Sequence, residues 1–336
     1  MTNRTWITDN IIPALSPNDI EDTGISCTGW WKAGVSATAM IVEDHTSAKG
    51  AGGDDIWYVT EWKDSSGEDN HLLDTGLGKG PQIYGSDANY LGSASDEVSG
   101  TIDGVTTNYP VAHFTELTEG VNQGQKFLEC DPDDKQHLGY DIYEGDDHCW
   151  NFMAVARYHN HGEDRVYKPI CGNENSWSMT QKVCALGFLE DSGSPNHAIA
   201  HALVGSNEIH ASGTTPSVFQ ADIGEDVYAV LGCFCTLSAW NGGNNMGRYK
   251  AWCNGTFGTS DEPGAPRGGT GNYHGSANEH HTFRVGMTEL YSGAGGDYNL
   301  DGRIIEMACW KSEEPISEYK IWQVWQYWKE KFGNDI

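Results

Sequence analysis

The stretch "GGDYNLDGRIIEM", Gly295 to Met307, sets Asp297, Asn299, Asp301 and Gly302 at the spacing Asp-x-Asn-x-Asp-Gly. Alternating oxygen donors followed by glycine are how a calcium loop begins, because a hard cation gathers oxygens and the chain must then turn sharply. Such a loop also needs a bidentate carboxylate at its last position, and counting from Asp297 that place holds Ala308. Upstream, "MTELYSGAGG" is too rich in glycine for an incoming helix. The residues therefore read first as a polar turn opening a strand. A calcium loop at Asp297, Asn299 and Asp301 is the alternative.

Other chemistry-bearing groups are sparser. In "YHNHGED", His159 and His161 lie two apart and share a face if extended, with Glu163 and Asp164 close behind. Zinc needs three or four convergent ligands, so this pair reads as a polar strand end. His280 and His281 are adjacent and diverge in a strand. Cys233 and Cys235 share a strand face and read as core thiols. "GLGKGP", Gly76 to Pro81, lacks the Lys-Ser/Thr ending of a phosphate loop. No Gly-x-Ser-x-Gly elbow occurs. Glu129, Asp131, Asp133 and Asp134 only approximate the paired carboxylates of a strand-borne glycosidase site, and Pro132 breaks the strand. No cofactor other than calcium is suggested. For sugars, which stack on exposed aromatic rings beside polar groups, the loop tyrosines Tyr84, Tyr90, Tyr109, Tyr140 and Tyr143 are the candidates.

The elements that must position these residues are mostly strands. "DIWYVTEWKD", "HCWNFMAVARYH", "SMTQKVCALGFLED", "DVYAVLGCFCTLSAW", "GRYKAWCNGTF", "HHTFRVGMTEL" and "GRIIEMACWK" carry strand-like patterns. Asn254-Gly255 is a hairpin signal. In "GRIIEMACWK" both alternating sets are largely apolar, as in a strand buried on two faces. Only the C-terminus is convincingly helical. Ser317 can cap a helix in which Ile321, Val324, Trp325, Trp328 and Phe332 recur at helical spacing before Gly333. Strands without intervening helices indicate an antiparallel sandwich.

The 336 residues include 42 glycines, 13 tryptophans and 15 tyrosines, and the formal charge is −28. That charge argues against nucleic acid, which needs a basic face. No stretch of eighteen apolar residues occurs, and the opening "MTNRTWITDNIIPALSPND" lacks a basic segment followed by an apolar core, so neither a membrane span nor a secretory signal is expected. Nine cysteines, an odd number, read as free thiols of a reducing compartment. The expected organisation is one domain over 1–336, with a loop-rich acidic insertion at about 85–147 and a closing helix at about 317–332.

Several of these segments resemble, in order, the concanavalin A-like, laminin-G-like jelly-roll domains. They are "WKDSSGEDNH" (Trp62 to His71), "YKAWCNG" (Tyr249 to Gly255), "LDGRIIEM" (Leu300 to Met307) and "ISEYKIWQVWQYWKEKFG" (Ile316 to Gly333). The resemblance implies a mainly β fold, an antiparallel two-sheet jelly-roll sandwich with the C-terminal α-helix packed on it and long acidic loop insertions. It also implies a structural role for Glu306. The family includes lectins, glycosidases, adhesion modules and phage structural proteins. With no catalytic set in view, the expectation is a non-enzymatic phage virion protein, a capsid decoration or a tail or fibre component. It would be made in the host cytoplasm without a signal peptide and displayed on the virion surface. Its expected partners are other virion proteins and its own copies, with no nucleic acid and no membrane. A carbohydrate-binding module recognising host glycans is the alternative, and a glycoside hydrolase comes third.

Overall fold

The computed structural model describes residues 12–20, 24–44, 57–74, 80–88, 90–114, 127–130, 149–159, 167–172, 184–191, 197–204, 207–210, 227–241, 246–257, 283–286, 300–312, 316–333 and 336. The first strands are β1 (Ile25–Trp31), β2 (Met40–Asp44), β3 (Trp57–Trp62), β4 (Leu72–Leu73), β5 (Gln82–Tyr84), β6 (Val98–Ile102), β7 (Val105–Tyr109), β8 (Val111–Phe114) and β9 (Leu128–Cys130). The later ones are β10 (Cys149–Tyr158), β11 (Tyr167–Gly172), β12 (Cys184–Asp191), β13 (His197–Val204), β14 (Asn207–His210), β15 (Ala229–Asn241), β16 (Met246–Cys253), β17 (Thr256–Phe257), β18 (Arg284–Val285) and β19 (Gly302–Ser312). Among the described residues an α-helix, α1 (Glu318–Phe332), follows.

The protein is mainly β, an antiparallel sandwich with the helix packed on it. One layer is centred on β19, which pairs with β10 along one edge and with β8 and then β1 along the other. β15 and β16 extend it beyond β10. The second layer runs β4, β9, β18, β11, β12, β13, β14. β3 joins the layers: one edge pairs with β2, and the other pairs with β5 at its start and with β4 at its end. The main sheet is therefore continuous and folds over itself, while β6 and β7 form a separate hairpin.

Between the layers lies an apolar interior to which Phe152, Ala154, Ala156 and Tyr158 of β10 and Ala229, Leu231 and Cys233 of β15 contribute. These are the faces that the alternation in those sequences predicts. Phe283 stacks on Phe152 at 6.0 Å and on Trp31 at 5.8 Å, and Tyr158 stacks on Phe188 at 5.4 Å, joining the layers. β19 is buried on both faces apart from Lys311. Its Ile304, Met307 and Cys309 face the interior, and Ile305, Ala308 and Trp310 face outward beneath the helix.

The helix covers that outer face because its apolar residues recur at helical spacing. Ile321, Val324, Trp328 and Phe332 are all buried there. Ser317 accepts a capping bond from the Lys320 amide, and Gly333 ends the helix at φ 62°. Trp252 of β16 meets Trp322 and Trp325 edge-on at 5.1 and 6.3 Å. At the hairpin signal, Asn254 and Gly255 both take positive φ, 41° and 85°, as the two-residue turn between β16 and β17 demands.

The "WKDSSGEDNH" stretch proves to be a self-bonded turn. Asp64 Oδ1 accepts from the Trp30 and Ser66 amides, each at 2.8 Å, and Oδ2 accepts from the Ser66 hydroxyl at 2.6 Å and the Asn70 amide at 3.0 Å. Asn70 Nδ2 donates to Thr28 O at 2.6 Å, and Trp31 Nε1 donates to Asn70 O at 3.0 Å. The loop is thereby fixed to β1.

The segment 85–147, expected to be loop-rich, carries the β6–β7 hairpin and two strands of the main sheet, β8 and β9, in its described part. Short strands embedded in polar sequence have too few alternating residues to show their period. Among the described residues no helix is long and apolar enough to cross a membrane.

Candidate functional site

Directly opposed residues of an antiparallel ladder share a face of the sheet. Arg303 of β19 lies opposite His113 of β8 on one side and Arg157 of β10 on the other, and His113 lies opposite Gln82 of β5. A polar row therefore crosses the outer face at the start of β19, beside the stretch that the helix covers. Arg157 places its guanidinium 5.8 Å from the ring centre of Tyr228, which precedes β15. Burial pushes the Tyr228 phenol up, and the neighbouring Arg303 and Arg157 charges oppose that shift.

Asp301 and His159 stand one step further along the same strands. The His159 amide donates to Asp301 O at 3.0 Å and continues the β10–β19 ladder by one rung. Gly302 between them explains the Asp-Gly pair, since a Cβ at this position would lie 2.2 Å from Arg157 O. The glycine permits close backbone approach of two strands, where a calcium loop would need it for a turn.

Neighbouring elements complete the region. Arg303 Nη1 donates to Asp96 Oδ1 at 3.0 Å, and its guanidinium lies 4.7 Å from the Tyr84 ring centre. Burial pushes the Asp96 carboxyl up, but the Ser93 amide and Arg303 outweigh it and hold the group below the usual carboxylate range. Tyr84 meets His113 edge-on at 4.5 Å. Burial raises the Tyr84 phenol, Arg303 opposes, and Asp96 and Asp301 add to the rise.

His113 itself is 8% exposed, and both of its ring nitrogens are buried without a hydrogen-bond partner. Its Nε2 stands 3.7 Å from Asp301 Oδ1, and its ring lies edge-on to His159 at 5.5 Å. The donor atoms of His113, His159 and Asp301 all fall within 4.8 Å of one another.

A second polar cluster sits further along β19. A bulge leaves Ile305 between the pairs Ala156–Ile304 and Val155–Glu306, so Ile305 and Glu306 both reach the outer face. Glu306 is fully buried. Its Oε1 accepts from Trp30 Nε1 at 2.8 Å and Trp328 Nε1 at 2.9 Å, and its Oε2 accepts from the Ala33 amide at 3.3 Å and from Lys331 Nζ. The ammonium of Lys331 also lies 5.3 Å from the ring centre of Tyr109. This carboxylate ties β1, β19 and α1 together. Burial, reinforced by Glu306, pushes the Tyr327 phenol far up, and burial lowers Lys32 despite Glu306.

The other sequence candidates distribute as follows. Of the calcium set, Asp301 is placed immediately before β19, while Asp297 and Asn299 lie outside the described residues. Of the tyrosines, Tyr84 belongs to the polar row and half-buried Tyr90 lies nearby, against Gly85. Tyr109 packs edge-on against Phe332 at 6.3 Å and supports the helix. Tyr140, Tyr143, His161, Glu163, Asp164, His280 and His281 lie outside the described residues. Sequence reasoning missed His113, Arg303, Arg157 and Asp96, which no local spacing connects.

No family model and no curated protein matches this chain. Solved structures do. An arabinofuranosidase complexed with arabinofuranosyl-α-1,2-xylobiose superposes with a TM-score of 0.53 at 13% identity, over 94% of this chain and 65% of that one. A GH54 α-L-arabinofuranosidase soaked with a cyclic sulfate inhibitor gives a TM-score of 0.50 at 12% identity over the same shares. The sialidase CBM40 of Ruminococcus gnavus covers 62% of this chain and 95% of its own at 11% identity, with a TM-score of 0.35. The chain thus spans 65% of the length of the arabinofuranosidases. For the arabinofuranosidases, at 12–13% identity, the likeness is one of fold.

Proposed function

We propose that this protein is a non-catalytic carbohydrate-binding β-sandwich, and that the polar row at the start of β19 receives the glycan. One observation carries the reading. Half-buried Tyr84, Asp96, Arg157, His159 and Asp301 converge at one end of a sheet face whose remainder is largely apolar and packed against a helix. A sugar asks for this mixture: cationic and carboxylate groups for its hydroxyls and an aromatic ring for its apolar face. The arabinofuranosidase whose structure holds an arabinofuranosyl-xylobiose shares the sandwich along 94% of the present chain, which supports the class of ligand.

Binding is favoured over hydrolysis by the state of the carboxylates. Glycosidic cleavage needs two carboxyl groups facing the substrate. Glu306 is sealed by four donors, and Asp96 is held by Arg303 and by the Ser93 amide at 2.8 Å. Asp301 lies beside His113, its Oδ1 3.7 Å from Nε2. Membership of a virion is a separate proposal carried by the resemblance. Capsid, portal and tail genes beside this one would be its test.

A glycan array that includes arabinofuranosyl-substituted xylo-oligosaccharides tests the reading. Retention of at least one glycan, weakened about tenfold or more by Arg157→Ala and by Tyr84→Ala and accompanied by no sugar release, is expected. Retention unaffected by both substitutions, or an array with no binding, would overturn it.

A further inference from the structure

We propose that His113, His159 and Asp301 form a binding site for one divalent transition metal ion of the zinc type. The inference stands apart from the glycan reading and would survive its failure.

Two observations point the same way. The first is convergence. β8, the end of β10 and the residue before β19 deliver two imidazoles and a carboxylate whose donor atoms lie within 4.8 Å of one another. Around a tetrahedral zinc with bonds of about 2.0–2.1 Å, donors stand about 3.4 Å apart. The His113 Nε2 to Asp301 Oδ1 separation of 3.7 Å is already close to that. Side-chain rotation of His159, which is half-buried, has the remaining gap to close.

The second is the state of His113. A buried polar atom without a partner is costly, and native structures rarely tolerate two on one ring. Here both nitrogens are unpartnered, the residue is 8% exposed, and Nε2 faces Asp301. The ring is held in place edge-on by Tyr84 at 4.5 Å. A metal ion would satisfy the nitrogen that faces Asp301.

The donor set selects the metal. Two imidazoles and one carboxylate suit zinc and its transition-metal neighbours, whereas calcium asks for oxygens throughout. Asp301 is thereby moved from the calcium loop suggested along the chain to a site assembled across strands. Three protein ligands leave a fourth position for water or an exogenous group. Arg303, opposite His113 in the ladder, directs Nη1 to Asp96 at 3.0 Å, so its charge is partly countered there.

The test is calorimetric titration of the full, chelator-stripped chain with zinc chloride, in excess magnesium to occupy diffuse acidic sites on this strongly anionic protein. Cobalt absorption spectra serve as a second readout. One ion per chain is expected, with cobalt bands showing nitrogen and oxygen ligation in a tetrahedral field. His159→Gln and Asp301→Asn change half-buried residues and should each weaken binding at least tenfold while leaving the metal-free circular dichroism spectrum unchanged. Equal zinc affinity in the wild type and both variants would overturn the proposal, as would an absence of stoichiometric binding. A simple His113–Asp301 ion pair would give that second result.

Discussion

Glu306 and His113 are both buried on the outer face of the same layer, yet one carboxylate receives four donors while one imidazole has no hydrogen-bond partner at either nitrogen. The difference follows from what lies above each. Over Glu306 the helix brings Trp328 and Lys331, and β1 brings Trp30, so desolvation is offset locally. Beside His113 stand Tyr84, an aromatic edge, and Asp301 at 3.7 Å, too far for a hydrogen bond. The saturated cluster holds the helix on the sheet, whereas the nitrogens of His113 are what the proposed metal ion would satisfy. A buried polar group by itself does not distinguish the two, and counting its partners does.

Breaking the saturated end should have the largest effect. Glu306→Ala leaves the Lys331 ammonium, two indole N–H groups and the Ala33 amide without their acceptor. A loss of about 3–5 kcal/mol is expected from urea or guanidinium unfolding. Adding Lys331→Met should recover part of it, because the stranded charge is removed.

Next comes Asp64, whose carboxylate serves four donors in a more exposed turn. Asp64→Ala is expected to cost about 2–3 kcal/mol, read as a lowered thermal midpoint. Zinc stoichiometry should not change, since the turn lies on β1 and away from His113.

Gly302→Ala sharpens the other end. The new Cβ must displace Arg157 O, so β10 and β19 part where His159 and Asp301 meet. A cost of about 1–3 kcal/mol is expected from chemical denaturation, together with a weakened response to zinc in the same titration.

The smallest effect concerns Asp96. Its carboxyl is held below the usual range, so its contribution to stability is present above the unfolded-state pKa and is lost as pH falls through the folded one. Asp96→Asn should cost under about 1 kcal/mol at neutral pH because the pair with Arg303 is partly exposed. The difference from wild type should disappear in acid, as paired unfolding curves at two pH values would reveal.

Local features of this molecule were legible in its sequence. The closing helix reads from Ser317 to Gly333 because cap and stripe lie within a few turns of each other. The β16–β17 turn reads from Asn254-Gly255, and the double burial of β19 reads from its two largely apolar alternating sets. The candidate site was legible only in fragments. Along the chain Asp301 groups with its neighbours Asp297 and Asn299, and His159 with His161. Their spatial partners are each other and His113, which sits in a four-residue strand between polar loops. Register across β8, β19 and β10 brings them together, and register is a property of strand pairing that no single segment records. Arg303 shows the same thing, opposite His113 on one side and Arg157 on the other.

The most direct test compares Glu306→Leu and His113→Leu in chelator-stripped protein, by denaturant unfolding with and without zinc. The prediction is that Glu306→Leu loses several kcal/mol, about what breaking a buried ion pair costs, and still gains stability from zinc. His113→Leu should match or exceed the wild type without metal, having shed two unsatisfied nitrogens, and should gain nothing from zinc. A His113→Leu protein as damaged as Glu306→Leu, or one still stabilised by zinc as strongly as the wild type, would contradict the account.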